Sequence, residues 1–560
     1  MTFRHTALVA VIGLVGAIVA APVPAVAAPA SKSPVGVGIV VPLSVPGGAD
    51  GIISAEELED YTSPTGLLTR ELDALADTSV AIGIDPMIIA SIRLLGTSAP
   101  ESAVAWLAEL DEVDNETFAL TYADSDLTIG LQAGSKTVVA PTSFDFAIDP
   151  TLFAAATDPT PDPDSTPDPT IPVSPTLPTS DTLLEWDHSL GTVAWPRPGT
   201  VSKDDLPVLA DAGYGTTILS AANVSRAGQN AAAAIVGDLG TVVTDDLLSA
   251  LFATAIHAQT TEEWQQAVNQ LAKGIGATPG RSSSSGASVL LALDRAGFGD
   301  ATRLRETVNA IDSLNAADLI DFSELVDGPS SRATLVDSPQ TAGRIKLVRS
   351  MLVAEKADAA FATVADTPVL ITGERRIRLL GAMVPNWDRY EGTWGDEIAA
   401  FVTESRAIRR SVHVADSSDL IFGDRGFIPI SVSNGLDQPV TVYISVRPLS
   451  PLLTVESESF ELEIEPNSQR RAQIPAVARS NGSVELAVSI STRSDVLVGS
   501  TTFVRTSVQA GWETPVTAAF AVLIIGVFVF GIVRSIRRRR RAVIENEPSE
   551  LPVVDLEDDE

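Results

Sequence analysis

The sequence predicts an α/β barrel-like module, then an all-β immunoglobulin-like sandwich and one C-terminal transmembrane helix. Three observations predict it. Short apolar strands alternate with amphipathic helices across residues 34–410, evenly spaced β-branched segments fill 411–510, and residues 515–533 carry no charge before a block of arginines. Strand–helix alternation implies parallel pairing through right-handed crossovers. Short strands at even spacing over about 100 residues imply a sandwich. A stretch of about 19 uncharged residues can cross a hydrocarbon core of about 30 Å.

At the N-terminus, Arg4, an apolar run over 7–21 and the small-x-small triplet Ala25-Val26-Ala27 read as a secretory signal peptide, residues 1–27. A retained anchor is the other reading; the short apolar run and the following Pro22 and Pro24 disfavour it. Residues 34–157 form the first part of the barrel. A strand is expected at 35–41, then a helix opened by Ser63-Pro64 that carries Leu67, Leu68, Leu72 and Leu75. The next strand, 79–84, ends in Asp85-Pro86. Pro100-Glu101 opens a helix through Trp106 and Leu110, and a third strand at 117–122 ends in Asp124.

Residues 158–182 are made largely of Pro, Asp, Thr and Ser, a linker or inserted loop that is extended and solvated, with threonines open to O-glycosylation. The second part of the barrel, 183–410, continues the alternation. Strands are expected at 192–195 and 216–219, a helix from Thr244, and a helix with the capping box Thr260/Glu263 and a stripe of Trp264, Ala267, Val268 and Leu271. A strand at 288–293 ends in Asp294, and a long helix over 341–364 leads to a further apolar segment at 368–371. Six or seven such units suggest a closed or nearly closed barrel, with an open doubly wound sheet as the alternative.

In the sandwich, 411–510, strands are expected at 427–432, 440–446, 460–464, 471–477, 484–490 and 502–508. The turn signals Asn434-Gly435, Asn467-Ser468 and Asn481-Gly482 lie between them. Trp512 marks the membrane interface and residues 513–533 the span. Arg534, Arg537, Arg538, Arg539, Arg540 and Arg541 resist transfer and mark the cytoplasmic side, so 534–560 form a cytoplasmic tail and the bulk lies outside, single-pass in the cell membrane. The arginines also attract anionic head groups, at about 1 kcal/mol per charge.

The chain has no cysteine and a formal net charge of −34, which fits an exported bacterial protein and disfavours nucleic acid as a partner. No GxGxxG or GxxxxGK[ST] follows a strand, no GxSxG occurs, and the four histidines lack metal-ligand spacing, so no cofactor or metal is expected. Residues at the C-terminal ends of parallel barrel strands share one mouth. Asp85, Asp124, Asp294 and Trp195 are expected there. Paired carboxylates beside an aromatic platform suit glycoside cleavage, whereas an aspartate before a helix is equally a good N-cap. Both readings stay open at Asp85, Asp124 and Asp294, with Asp126 a further cap candidate.

The motifs IGIDP (82–86), LTYADSD (120–126) and VAWPRPG (193–199), the NGLDQPVTVYISV segment and the GWETPVTAAF…GIVRSIRRRRR end resemble an actinobacterial family of single-pass envelope proteins of unknown function. Family members are often encoded beside the lipid II flippase, which implies a cell-wall connection. The first half is more distantly similar to the glycoside hydrolase/deacetylase barrel superfamily. The paired aspartates of the first strand and the HxxxH of its zinc deacetylases are missing here, which puts that activity in doubt. The resulting expectation is a membrane-anchored envelope protein, non-catalytic, that binds a cell-wall polysaccharide or a membrane protein of peptidoglycan assembly. A glycosidase-like enzyme using the three aspartates is the alternative. A receptor-like protein whose tail signals inward is a third.

Overall fold

The computed structural model describes residues 33–46, 50–153, 176–226, 231–279, 286–293, 295, 299–384, 391–415, 420–422, 425–457, 459–508 and 513–543. The expected signal peptide, most of the 158–182 segment, the tail beyond 543, and both Asp294 and Trp512 lie outside the described residues.

Seven parallel strands organise the N-terminal unit: β1 (Val35–Leu43), β2 (Val80–Ile84), β3 (Thr117–Ala119), β4 (Val193–Ala194), β5 (Thr216–Ser220), β6 (Leu239–Thr244) and β7 (Ala287–Ala292). Their spatial order is β3-β2-β1-β7-β6-β5-β4. The two ends of this row meet: the Leu190 N–H donates to the Thr117 carbonyl at 2.9 Å, and the Thr117 N–H donates to Ser189 Oγ at 2.8 Å. Four further strands belong to the sheet, among them Ala233–Val236, which runs antiparallel to Leu239–Val242 of β6.

Each of the seven strands contributes to one inner apolar cluster: Val40, Ala81, Phe118, Val193, Ile218, Val242 and Leu290. Alternate residues of β1, such as Ile39 and Val41, point the other way into the larger core beneath the helices. Because both faces are covered, β1 is a nearly unbroken apolar run rather than an alternating one. The interior is tight: a Cβ at Gly38 would lie 2.6 Å from Leu325 Cδ1, and one at Gly83 would lie 2.8 Å from Leu120 Cδ2. Burying one side chain such as Phe118, 0% exposed, contributes about 1.5–3 kcal/mol.

An expected helix start needs correction. Ser63-Pro64 closes a helix instead of opening one. The first helix, Ala55–Thr62, begins at a capping box of Ser54 and Glu57, and Ser63 adopts an extended conformation because a residue before proline is kept out of the α region. The leucine-bearing helix begins at Leu67, after Gly66. The apolar segment 368–371 opens the helix Pro368–Gly381, with Pro368 at its first position. The Thr260/Glu263 box forms as expected.

Three helices, Ala342–Ala362, Pro368–Gly381 and Glu391–Arg410, pack together after the last strands. Ile377 and Leu380 belong to the main core of the strand–helix unit, while Phe361, Val364 and Ile371 belong to the core of the C-terminal β unit. The trio therefore joins the two. Its centre is Arg375, 1% exposed. Nε donates to Asp358 at 3.1 Å, Nη1 to Glu404 at 3.2 Å and Nη2 to the Phe401 carbonyl at 2.7 Å, while the guanidinium lies 3.7 Å from the Phe401 ring centre. Arg409 and Ser405 add hydrogen bonds to Asp358.

The C-terminal β unit has two sheets, of four and five strands, facing one apolar core. The long strands Arg425–Asn434, Val440–Pro448, Ser468–Ala478, Gly482–Ser491 and Leu497–Val508 cover the expected segments, and Phe460–Ile464 falls where it was expected. Val440, Val442, Ile444 and Val446 alternate inward along one strand. The last described element is the helix Glu513–Val543, of which Val516–Arg540 is long and apolar enough to cross a membrane, with none of its most apolar window buried.

Candidate functional site

Parallel strands deliver their C-terminal ends to one rim. Asp85 directly follows β2. Its Oδ1 accepts from the Met87 N–H at 2.9 Å, capping the helix Pro86–Leu94, whose first residue is proline. The side chain is enclosed. Burial pushes its carboxyl well above the usual aspartate range. The Met87 N–H opposes this, the charge of Asp124 adds to it, and the N–H groups of Asp124 and Ala123 draw it back a little further.

After β3 the chain makes a left-handed turn at Ala123 (φ 55°) and Asp124 (φ 43°), a conformation non-glycine residues adopt rarely. The turn aims Asp124 inward. Its carboxylate receives Arg295 in a two-point pair, Nε to Oδ2 at 3.1 Å and Nη2 to Oδ1 at 3.2 Å. Arg295 also donates from Nη2 to the Trp195 carbonyl at 2.9 Å, and its guanidinium lies 4.2 Å from the Trp195 ring centre. Burial raises the Asp124 carboxyl above its ordinary value, and Arg295 draws it partly back. Asp126, two residues on, caps the helix Leu127–Gln132 and accepts from Gln340 Nε2 at 2.6 Å.

A cleft of about 330 Å³ opens at this rim beyond β4, β5, β6 and β7. Trp195 and Arg295 line it together with Pro196, Pro198, Ala253 and Leu293. Asp246 lies on its wall and is fully engaged. It accepts from Ser220 Oγ and Thr244 Oγ1, each at 2.7 Å, and from the N–H groups of Ala221 and Ala222 at 3.1 and 3.2 Å. Arg295 Nη1, by contrast, is a buried donor without a partner.

The predicted residues thus fall into three groups. Asp85 and Asp124 come to the same rim, one as a helix cap and one as the partner of a cation. Trp195 is also there, but it is 6% exposed, sits 6.2 Å from Phe118, and carries Arg295 over its ring instead of offering an open face. Asp294 lies outside the described residues. Arg534 and Arg537 to Arg540 continue the apolar helix as expected from the sequence. Arg295 and Asp246 escaped sequence reasoning. A basic residue within three positions of a strand end in an acidic chain was the available signal for Arg295. Among the described residues no group of three His, Asp or Glu side chains is placed to hold a metal ion.

Residues 26–550 match the model of a family of unknown function, DUF6049. No curated protein matches the chain. Among solved structures, trypsin-activated α-2-macroglobulin from Escherichia coli is 18% identical over 18% of this chain and 7% of its own length, with a TM-score of 0.15. The E. coli chaperone DraB is 13% identical over 18% of this chain and 56% of its own, with a TM-score of 0.14. The α-amylase AmyC from Thermotoga maritima is 8% identical over 67% of this chain and 94% of its own, with a TM-score of 0.39. The chain thus spans only 7% of the first of these proteins, and at these scores none of the three assigns a fold or an activity.

Proposed function

We propose, for a chain that belongs to the DUF6049 family of unknown function, that it is a single-pass membrane protein whose outer part binds a cell-wall component without turning it over. In this reading the ring of seven strands is a β/α barrel of the glycoside hydrolase/deacetylase type, the two-sheet unit is an immunoglobulin-like stalk, and the tail after Val543 is cytoplasmic. The arginines after the apolar helix support that orientation.

The observation that carries the non-catalytic part is the state of the rim carboxylates. Asp85 caps a helix, Asp124 is held by Arg295, and Asp246 accepts four hydrogen bonds. Glycoside cleavage needs one carboxyl to give a proton and another to attack or activate water, both reaching the sugar. A second reading, a glycosidase-like enzyme, draws on Asp85 being held toward its neutral form beside Asp124. The enclosure of Asp85, 1% exposed, weighs against it.

The test incubates the detergent-solubilised full chain with insoluble wall material and measures both the protein that sediments and the sugar released. Retention without release supports the proposal. Release that disappears in Asp85→Asn or Asp124→Asn overturns it.

A further inference from the structure

We infer that a cavity between the helical trio and the C-terminal β unit is a phosphate site, which takes the phosphate of a small ester among Arg406, Arg409 and Arg410. It is separate from the rim of the strand ring and does not depend on the wall-binding reading.

The helix Glu391–Arg410 ends beside the short strand Val412–Val414 and the start of the strand Leu497–Val508. Between them lies a cavity of about 790 Å³, to which the helix contributes the three arginines and the long strand Leu497, Ser500 and Thr502. Among the described residues no aspartate or glutamate lines it. The chain has 72 acidic residues against 38 basic ones, so this is a local reversal of charge. A concave patch of one sign draws ions of the other.

The arginines are in different states. Arg409 is pinned: its Nη1 donates to Asp358 at 3.0 Å and to Ser405 Oγ at 2.8 Å, while its side chain stays 29% exposed. Its other nitrogens donate to no protein group among the described residues. Asp358 is also shared with Arg375, so it does not neutralise Arg409 alone. Arg406 and Arg410 are exposed and have no hydrogen bond or ion pair among the described residues. They lie four apart on one helix face, where like charges cost about 0.2–0.5 kcal/mol. The helix dipole favours basic residues in the last turn, Arg409 and Arg410, but does not account for Arg406 one turn earlier. A bound anion relieves the repulsion.

The number of donors selects the anion. A carboxylate is matched by the fork of one guanidinium, whereas a phosphate offers three acceptor oxygens pointing apart and can be shared by several. Three guanidinium groups, with the hydroxyls of Ser500 and Thr502, fit the second case. The volume leaves room for more than phosphate, and Leu497, 54% exposed, gives the carbon part of an ester an apolar surface. The net charge of −34 opposes a long polyanion, so a single ester is the better match.

The probes are glycerol phosphate, acetate and glycerol, titrated into the detergent-solubilised full chain at low salt and followed by calorimetry and phosphorus NMR line width. Glycerol phosphate is expected to bind at least about 10-fold more tightly than acetate, and glycerol not at all. Arg406→Gln and Arg410→Gln should each weaken glycerol phosphate about 10-fold, one charge-assisted hydrogen bond's worth. Arg332→Gln, an exposed arginine of the strand–helix unit, should leave binding unchanged. No binding of glycerol phosphate, equal binding of acetate, or equal loss in Arg332→Gln overturns the inference. So does undiminished binding in the folded double variant of Arg406 and Arg410. Should that variant fail to fold, the ranking of probes by the unaltered chain decides. Short-chain phosphatidylglycerol separates the sources: tighter binding than glycerol phosphate assigns a lipid head group, weaker binding a soluble ester, and the phosphate site stands in both cases.

Discussion

The molecule buries two arginines against aspartates, and the two are finished differently. At the junction of the two units, Arg375 pairs with Asp358, and each of its three guanidinium nitrogens has a protein acceptor. At the rim of the strand ring, Arg295 pairs with Asp124 with similar distances, yet one nitrogen has none. A fully satisfied buried network fixes how elements meet, whereas an incomplete one carries the cost of an unpaired group. The first ties the helical trio together, and the second holds Asp124 and Trp195 at the rim at the expense of one hydrogen bond.

Substitutions can break or sharpen this contrast. The largest effect is expected from Arg375→Met. It leaves Asp358, 0% exposed, with only Arg409 and Ser405 and should cost about 3–5 kcal/mol, read as a large drop in the unfolding midpoint of the solubilised chain. Arg295→Met should cost about 3 kcal/mol, the lower end of the same range, because buried Asp124 loses its cation but, with its carboxyl already raised by burial, can take up a proton instead. A loss clearly above that of Arg375→Met would reverse the order.

Asp85→Asn tests the neighbouring carboxyl. Asparagine also caps helices, so Oδ1 keeps its role. The Asp85 carboxyl is raised in the folded state, so the folded form holds its proton over a pH window in which the unfolded form has lost it. Stability from this group is therefore complete below the ordinary aspartate pKa and declines as pH rises toward the raised value. The variant should gain of the order of 1 kcal/mol at neutral pH, and the gain should shrink on acidification in melts run across pH. A constant difference would show that ionisation of Asp85 plays no part. The smallest effect is expected from Arg409→Ala, about 0.5–1 kcal/mol, since the outer arginine is partly exposed and Arg375 remains on Asp358.

What the sequence disclosed follows the range of the forces involved. The strands of the ring were legible because burial on both faces leaves an apolar run, and the Asp85 cap because Asp-Pro after a strand is a local signal. Residue 63 was misassigned through the same kind of signal: Ser-Pro serves helix ends as well as helix starts, and only the Ser54/Glu57 box upstream decides between them. The role of Asp124 was not legible. Its partner lies 171 residues away, brought close only when β3 and β7 end on the same rim, and no local pattern encodes that meeting. The shielding of Trp195 follows from the same pair.

The most direct test of the central claim follows the full chain on insoluble wall material over time. The account predicts protein that sediments with the wall and no sugar released, with the rim carboxylates left in their caps and ion pair. Sugar release that disappears in Asp85→Asn would contradict it.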